Sequence, residues 1–350
     1  TTCALEYMTW ENHYHEGLEI VNEVPIRRFR VDQPRNVAKF DKYSDKIFPN
    51  IGKTSIKNGE KWMKLQGPIS SGLLKYLDNN RDQYDFFIFF TYLYATSYFG
   101  LPLVEDKAYL VPAAHDEWPI YLPIWDKWFS RPKKLIFSTK EEQDFVQQRF
   151  TDVEFESEII GIGIDLPSDV IEKRFRDQFS IDGKYILYIG RIDESKGCKE
   201  LFSFFQKFKK EYNCSLKLVL IGNEVMPVPS DKDIIGLGYV DEQTKFDAIS
   251  GCELLVNPSP YESLSIVLLE AWSLNKPVLV SKKSEVMVGQ CKRSLAGFWY
   301  DTYEEFVRYI LDILEEKISI AGRGRKYIEE NYSWETIINK YSSFLTSHNW

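Results

Sequence analysis

The second half of the chain alternates short apolar runs with longer amphipathic stretches, and this alternation limits the possible folds more than any other feature. The apolar runs are rich in β-branched residues and end at Gly, Pro or polar residues, as buried strands do. The predicted strands are Lys184–Ile189, Leu216–Ile221, Ile234–Leu237, Glu253–Asn257 and Pro277–Ser281. The predicted helices are Glu200–Tyr212, Glu242–Ser250, Ser265–Leu274 and Tyr303–Glu315. Strands that alternate with helices indicate a parallel sheet covered on both faces, and right-handed crossovers make it a doubly wound, Rossmann-like α/β domain.

The first half follows a similar pattern less regularly. Its predicted strands are Ile26–Val31, Phe86–Phe90, Ala108–Pro112, Lys134–Ser138 and Glu158–Gly163. The segment Gly161–Pro167 is typical of an exit from a domain into a hinge, which puts the boundary near Leu166. We therefore predict an N-terminal domain at 1–165, a C-terminal domain at 166–333 and an amphipathic closing helix at 334–350.

Composition narrows the class of protein. The 350 residues are ample for two domains, and 44% hydrophobic with 27% charged residues is typical of a globular protein. The net charge of −8 argues against general nucleic-acid binding. The five cysteines show neither paired spacing nor a zinc pattern, so reduced thiols in a cytoplasmic protein are expected.

Two segments bear on membranes. Phe86–Val104 is uncharged and almost long enough to cross a bilayer, but its Thr, Tyr, Ser, Gly and Pro residues favour a buried strand followed by a helix. Between Pro25 and Lys64, Lys and Arg outnumber Asp and Glu. One interpretation of this basic segment is ordinary solvated surface. The other is a patch that contacts either anionic lipid headgroups, peripherally at the inner face of a membrane, or a lipid-diphosphate acceptor.

A motif in the second half indicates an anion site. Glu262 and Glu270 bracket a loop that follows a predicted buried strand and turns directly into an apolar helix. A helix N-terminus offers unpaired backbone N–H groups and a partial positive charge, which suit a phosphate, and Ser263 and Ser265 are expected to cap it. Carboxylates on both sides of a bound diphosphate suit a nucleotide-sugar, which has hydroxyls at both ends.

The cations for such a ligand lie upstream. Gly190, Arg191 and Lys196 follow a predicted strand and precede a helix, where ligands bind in open α/β sheets. Arg191 and Lys196 are therefore expected to neutralise the phosphates and a leaving nucleoside diphosphate without a metal.

Together these residues resemble the family 4 retaining glycosyltransferases of GT-B fold. The similarity is strong over Lys184–Trp334 and weaker before it, where Val111–Glu117 matches a strand end that carries a histidine, His115. The resemblance implies two Rossmann-like domains facing across a cleft, with catalytic roles for His115, Glu262, Arg191 and Lys196. It implies a donor-binding set in which Glu270 binds the ribose hydroxyls and Glu262 the donor sugar: Gly190, Arg191, Lys196, Val240, Glu262, Ser263, Leu264, Ser265, Ile266 and Glu270. On the acceptor side, Asp116 or Glu117 either orients the imidazole of His115 or contacts the acceptor.

The chain departs from the family pattern in two places. The usual Gly-x-Gly after the first glutamate is Ser263-Leu264-Ser265, which leaves less room for the ligand. Thr1–Met8 resembles a point well inside the first domain, so the opening strand and its Gly-rich loop are not found. Tyr332-Ser-Trp334 resembles the start of the GT-B closing helix, which crosses back to the first domain.

The implied activity is transfer of a sugar, with retention, from a UDP- or GDP-sugar to a glycan or lipid-linked acceptor in surface polysaccharide biosynthesis, without metal or cofactor. The alternatives are a non-catalytic nucleotide-sugar-binding module and a GT-B epimerase. His13 with His15, and Asp231 with Asp233, have a faint metal-ligand pattern, but polar loops are the favoured interpretation. Gly289–Arg293 is expected to be a basic loop, either at a ligand or plain surface.

Overall fold

The computed structural model describes residues 1–346, and the chain forms two compact units that divide after Ile159. The division lies a few residues before the predicted boundary at Leu166. The predicted closing helix is found from Trp334 to Thr346, within the second unit, and residues 347–350 lie outside the described part of the chain.

The first unit contains an antiparallel hairpin and a four-stranded parallel sheet of order β3-β4-β5-β6. Its elements are β1 (Gly17–Val21), β2 (Val24–Arg28), α1 (Val37–Ile47), α2 (Ile56–Gln66), α3 (Ser71–Asn80), β3 (Phe87–Phe90), α4 (Ala95–Gly100), β4 (Ala108–Val111), β5 (Lys134–Phe137), α5 (Lys140–Arg149) and β6 (Ser157–Ile159). The predicted strand Ile26–Val31 is shifted and lies in the hairpin, because Asn22 and Glu23 both have positive φ and form a two-residue turn.

The second unit contains a six-stranded, wholly parallel sheet of order β12-β11-β10-β7-β8-β9. Its elements are α6 (Glu172–Phe179), β7 (Tyr185–Ile189), α7 (Cys198–Glu211), β8 (Lys217–Ile221), β9 (Ile234–Gly236), α8 (Glu242–Gly251), β10 (Leu254–Asn257), α9 (Ile266–Ser273), β11 (Val278–Ser281), α10 (Glu285–Ser294), β12 (Gly297–Tyr300), α11 (Tyr303–Leu314), α12 (Arg323–Asn331) and α13 (Trp334–Thr346). The predicted strands and helices of this half all occur, with ends shifted by a residue or two.

One interpretation of the second half is wrong: Gly289–Arg293 is not a loop but part of α10. The side chain of Ser284 caps this helix by accepting a hydrogen bond from the amide of Met287. Met287 and Cys291 are buried on one face, so the basic residues that suggested a loop lie on the other face.

The core of the second unit lies on both faces of its sheet. Leu187 packs in one buried cluster, whereas its neighbours Ile186 and Tyr188 pack in a second one. Successive strand residues point to opposite faces, so an uninterrupted apolar strand requires cover on both sides. The helices supply that cover, as the doubly wound prediction requires.

The order of strands defines a switch point in this sheet. β7 comes first in the chain, β8 pairs with it on one side, and β10 pairs with it on the other. In open α/β sheets, ligands bind beyond the carboxyl ends of the strands where the winding reverses in this way. The loops that follow β7 and β10, together with α9 after the second loop, carry the predicted donor-binding residues except Val240, which follows β9.

Among residues 1–346, no helix combines the length and the apolar character needed to span a bilayer.

Candidate functional site

The loop after β7 is held close to the loop after β8 by two glycines. The amide of Gly190 donates to the carbonyl of Ile221 at 2.9 Å, and a Cβ at Gly222 would lie 2.0 Å from the oxygen of Gly190. Gly190 has a φ of +151°, which a side chain would strain. The Tyr188 hydroxyl donates to the Arg191 carbonyl oxygen at 2.7 Å, which fixes the backbone of Arg191, the first of the two predicted phosphate ligands.

Arg191 is held within its own loop. Its Nε lies 3.1 Å from Oδ2 of Asp193, and the Asp193 carboxylate accepts from the amide of Ser195 at 2.6 Å. Burial favours the neutral acid, but the hydrogen bonds from Ser195 and the charges of Arg191 and Lys196 hold the pKa of Asp193 below its usual value. The guanidinium is therefore oriented by a charged carboxylate.

Lys196 connects the two loops at the switch point. Gly197, with a φ of +78°, is so close to the loop after β10 that a Cβ there would lie 2.3 Å from the Pro258 carbonyl oxygen. This approach brings the ammonium of Lys196 to 2.9 Å from Oε1 of Glu262. Both side chains are partly exposed, at 32% and 18%. Two residues that were predicted separately, one as a phosphate ligand and one as a sugar ligand, are therefore neighbours in the structure.

The loop after β10 is built around a buried asparagine. Asn257 donates through Nδ2 to the hydroxyl of Ser265 at 3.0 Å and accepts from the amide of Ser259 at 3.0 Å. Ser265 has a φ of +63° and caps no amide of α9 with its side chain. The expectation that Ser265 caps the helix is wrong, because its hydroxyl is bonded to Asn257.

The remaining residues of the Glu262–Ile266 stretch divide between core and surface. Leu264 is buried, and the side-chain amide of Gln290 donates to its carbonyl. Ile266 is exposed at the start of α9, directly after Ser263–Ser265. Val240, the predicted donor-binding residue that lies outside this stretch, is partly buried. It precedes Asp241, whose side chain caps α8.

Glu270 is a buried carboxylate with one satisfied oxygen. Its Oε1 lies 2.7 Å from the ammonium of Lys245, which reaches it from α8. Its Oε2 is buried and has no hydrogen-bond partner among the described residues. Burial raises the pKa of Glu270 although Lys245 opposes the shift. Because an unpaired buried acceptor costs free energy, Oε2 is a natural position for a hydroxyl donor of a ligand.

In the first unit, the structure distinguishes the two acids that follow His115. Oε2 of Glu117 lies 3.7 Å from Nε2 of His115, and the hydroxyl of Tyr92 donates to Oε1 of Glu117 at 2.8 Å. Asp116 instead accepts from the Tyr121 hydroxyl at 2.6 Å. Of the two acids, Glu117 is therefore the one beside the imidazole.

Sequence reasoning missed Glu142, an acid that accepts a hydrogen bond from the backbone of the residue before His115. Glu142 is buried in α5 and accepts from the amides of Ala114 at 2.7 Å and Ser138 at 2.8 Å. Burial raises the pKa of Glu142 to about 8. The sequence does contain a signal for Glu142: it follows the N-cap residue Thr139 at the spacing of a capping box.

The described residues, 1–346, contain no group of three or more His, Cys, Asp or Glu side chains placed to hold a metal ion. Asp231 accepts from the amide of Asp233 at 2.9 Å, and Oδ2 of Asp233 lies 3.1 Å from the ammonium of Lys209. These two acids therefore have structural partners.

Comparison with known proteins gives a family match for the part of the chain that contains this site. Residues 169–334 match the family described as glycosyl transferases group 1. This stretch is similar to the group 1 glycosyl transferases, and it contains the sheet, both switch-point loops and Glu270. An uncharacterized glycosyltransferase of Methanocaldococcus jannaschii is 28% identical over 170 residues, which cover 45% of this chain and 43% of that relative.

Solved structures extend the similarity to both units. Sucrose-phosphate synthase of Thermosynechococcus elongatus is 14% identical with a TM-score of 0.67, covering 96% of this chain and 86% of that chain. Anabaena HepE in complex with UDP is 14% identical with a TM-score of 0.65, covering 80% and 83%. The fold is GT-B, with a parallel sheet in each of two Rossmann-like units. The chain spans less than half the length of the curated relatives it matches.

Proposed function

We propose that this protein is a retaining, metal-independent glycosyltransferase of family 4, which moves a sugar from a nucleotide-sugar to an acceptor hydroxyl. The observation that carries the proposal is the contact between Lys196 and Glu262, because it joins the loops after β7 and β10 at the switch point. A cation and a carboxylate there suit the two ends of one ligand, a phosphate and a sugar hydroxyl.

Arg191 and Lys196 are the proposed phosphate ligands, together with the amides that begin α9. A guanidinium and an ammonium form charge-assisted hydrogen bonds with phosphate oxygens, and these strengthen as a leaving diphosphate gains charge. We favour UDP over GDP as the leaving group because HepE was solved with UDP. Glu262 would contact the transferred sugar.

Glu270 is the proposed ribose ligand. Its buried Oε2, which has no hydrogen-bond partner among the described residues, can accept from a ribose hydroxyl. A carboxylate that accepts from a neutral hydroxyl satisfies the acceptor without adding a charge. This role agrees with the family pattern that its position resembles.

In the proposed mechanism, the acceptor hydroxyl attacks the anomeric carbon from the face that the diphosphate leaves. The bond from that carbon to the phosphate oxygen breaks, the new glycosidic bond forms on the same face, and the departing phosphate takes the proton of the hydroxyl. Arg191 and Lys196 stabilise the charge on that phosphate. His115, with Glu117 beside its imidazole, is the proposed contact for the sugar or for a glycan or lipid-linked acceptor.

The experiment is to incubate the full chain with UDP-glucose and a panel of other UDP- and GDP-sugars, without acceptor, and to measure free sugar and nucleoside diphosphate. A glycosyltransferase releases both slowly by hydrolysis. Release that disappears in Lys196→Ala but persists in Lys326→Ala, an exposed lysine of α12, supports the proposal. Tight binding of a nucleotide-sugar with no release over many hours favours a binding module instead.

A membrane contact of the first unit is part of the proposal. Phe48, directly after α1, and Ile56, the first residue of α2, are 55% and 51% exposed, and Lys46, Lys53 and Lys57 are exposed near them in the sequence. Apolar side chains among lysines suit the interface of an anionic leaflet. Five free thiols are consistent with a protein at the cytoplasmic face, where a lipid-linked precursor of a surface polysaccharide would be glycosylated.

Vesicle sedimentation tests this contact. We expect binding to phosphatidylglycerol vesicles, little binding to phosphatidylcholine vesicles, and a loss with rising salt. Replacing Lys46, Lys53 and Lys57 by Gln should weaken binding. The control replaces three exposed lysines of the second unit, Lys173, Lys282 and Lys326. Equal losses in the two triple variants, or equal binding to neutral vesicles, would refute a specific patch.

A further inference from the structure

The ammonium of Lys245 and the carboxylate of Glu270 form a largely buried pair in the second unit. Their side chains are 14% and 9% exposed, and the two charged atoms are 2.7 Å apart. Lys245 is the fourth residue of α8 and Glu270 lies in the middle of α9, so the pair joins two helices that flank the proposed donor site. Replacement of such a pair by apolar residues is often neutral or stabilising, so burial alone does not explain it.

The pair has hydrogen-bonding capacity that the described residues do not use. An ammonium has three N–H donors, and Lys245 directs two of them to Oε1 of Glu270 and Oε2 of Glu242, each at 2.7 Å. No further hydrogen bond of this ammonium is found within residues 1–346. On the other partner, Oε2 of Glu270 is buried without a hydrogen bond in the same part of the chain. One N–H donor of Lys245 and the acceptor Oε2 of Glu270 thus remain available for a ligand.

The charge of the cluster indicates what kind of group fits there. Two carboxylates, Glu270 and Glu242, surround a single ammonium, so the cluster is negative overall. A phosphate would add to that excess and is disfavoured. A neutral group that both donates and accepts satisfies Oε2 and the third N–H at once, and two adjacent hydroxyls do this best.

We propose that Lys245 is a second ribose ligand, which together with Glu270 recognises the vicinal diol of the donor nucleotide. One hydroxyl donates to Oε2 of Glu270, and the neighbouring hydroxyl oxygen accepts from the ammonium of Lys245. The inference rests on the proposed function, since it takes the ligand to be a nucleoside diphosphate. It predicts that the protein distinguishes ribonucleotides from deoxyribonucleotides and that Lys245 supplies part of this preference.

Calorimetry with UDP, 2′-deoxy-UDP and 3′-deoxy-UDP tests the proposal. We expect the wild-type protein to prefer UDP over at least one deoxy analogue by on the order of 10- to 100-fold, the effect of losing a hydrogen bond to a charged group. Lys245→Met should lose most of this preference. Lys326→Met, which removes an exposed ammonium of α12, is the matched control and should retain it.

The outcomes separate the possible failures. If Lys245→Met binds UDP more weakly but keeps the full preference, Lys245 only supports the fold and the inference is wrong, while the proposed function stands. If the wild-type protein binds neither UDP nor GDP, the proposed function fails and the inference fails with it.

Lys245→Met leaves Glu270 buried without its cation. A second comparison therefore keeps the test valid if this variant does not fold. Glu270→Gln and the double variant Glu270→Gln/Lys245→Met contain no unpaired buried carboxylate. Any ribose preference that remains in Glu270→Gln should fall further in the double variant. Equal preference in these two proteins would overturn the role of Lys245.

Discussion

The ammonium of Lys196 and Oε1 of Glu262 lie 2.9 Å apart although the residues are 66 positions apart in the chain. The contact exists because Gly197 lets the loop after β7 press against the Pro258 carbonyl. In a bound ligand, a phosphate can contact the ammonium of Lys196, and a sugar hydroxyl can donate to the carboxylate of Glu262. The predictions below test this pair and the donor site around it.

Removal of either proposed phosphate ligand should reduce turnover. We expect Arg191→Ala and Lys196→Ala each to lower the rate of nucleoside diphosphate release by about 100-fold or more, because charge stabilisation in the transition state is lost. Lys199→Ala is the matched control, since Lys199 is exposed and pairs only with Glu194 among the described residues. Circular dichroism should show all three variants folded. Near-normal rates in both site variants would refute the phosphate clamp.

The close approach at Gly197 should be essential to the site. An alanine with positive φ costs roughly 1–2 kcal/mol, and Gly183→Ala, where φ is +73° and the nearest atom is 4.0 Å away, should show this cost alone. Gly197→Ala adds a clash with the Pro258 oxygen, at 2.3 Å, and should lose more stability and also weaken UDP binding. Thermal unfolding and calorimetry measure the two effects. Equal behaviour of the two variants would contradict the role of the contact.

Donor binding should weaken as the pH falls. Because burial raises the pKa of Glu270, this carboxylate takes up a proton at a higher pH than an exposed glutamate does. The protonated acid no longer offers a charged acceptor, so affinity is full above the raised pKa and falls as the pH drops through it. UDP-glucose is the better probe, because a phosphate diester has no ionisation near pH 6 to obscure the result. Glu270→Gln should bind weakly with no such dependence; an identical pH profile would exclude Glu270 as the cause.

Chelation of metal ions should leave the activity unchanged. Arg191 and Lys196 supply the positive charge that a divalent ion would otherwise provide. Rates should therefore be equal with EDTA and with added Mg²⁺ or Mn²⁺. Strict dependence on a divalent ion would contradict the mechanism and direct attention to Asp231 and Asp233, despite their present partners.

Much of the second unit could be predicted because its strands are buried on both faces. The strand predicted at Glu253–Asn257 is found at Leu254–Asn257, and it ends at the loop that carries Glu262. Strand and helix order then placed the two loops at one edge of the sheet. By contrast, the basic residues of Gly289–Arg293 favour a loop in the sequence, but they lie on the exposed face of α10, for which Ser284 is a capping signal.

The missed parts of the site depend on tertiary contacts. In sequence, Lys245 follows Glu242 at the spacing of an ordinary exposed helical pair, and nothing local shows that α9 brings Glu270 to the same ammonium. Ser265 has the residue type of a helix cap, but the buried Asn257 binds its hydroxyl instead. Short-range patterns cannot reveal such competition between partners.

Binding of nucleoside diphosphates to the wild-type protein tests the central claim most directly. The melting temperature is measured with UDP, GDP, ADP and the corresponding nucleotide-sugars. We expect the ligands that contain one of the three bases to raise it, since a ligand that binds only the folded state stabilises that state. The same ligand should give no shift in the double variant Arg191→Ala/Lys196→Ala. A folded wild-type protein that responds to none of these ligands would contradict the account.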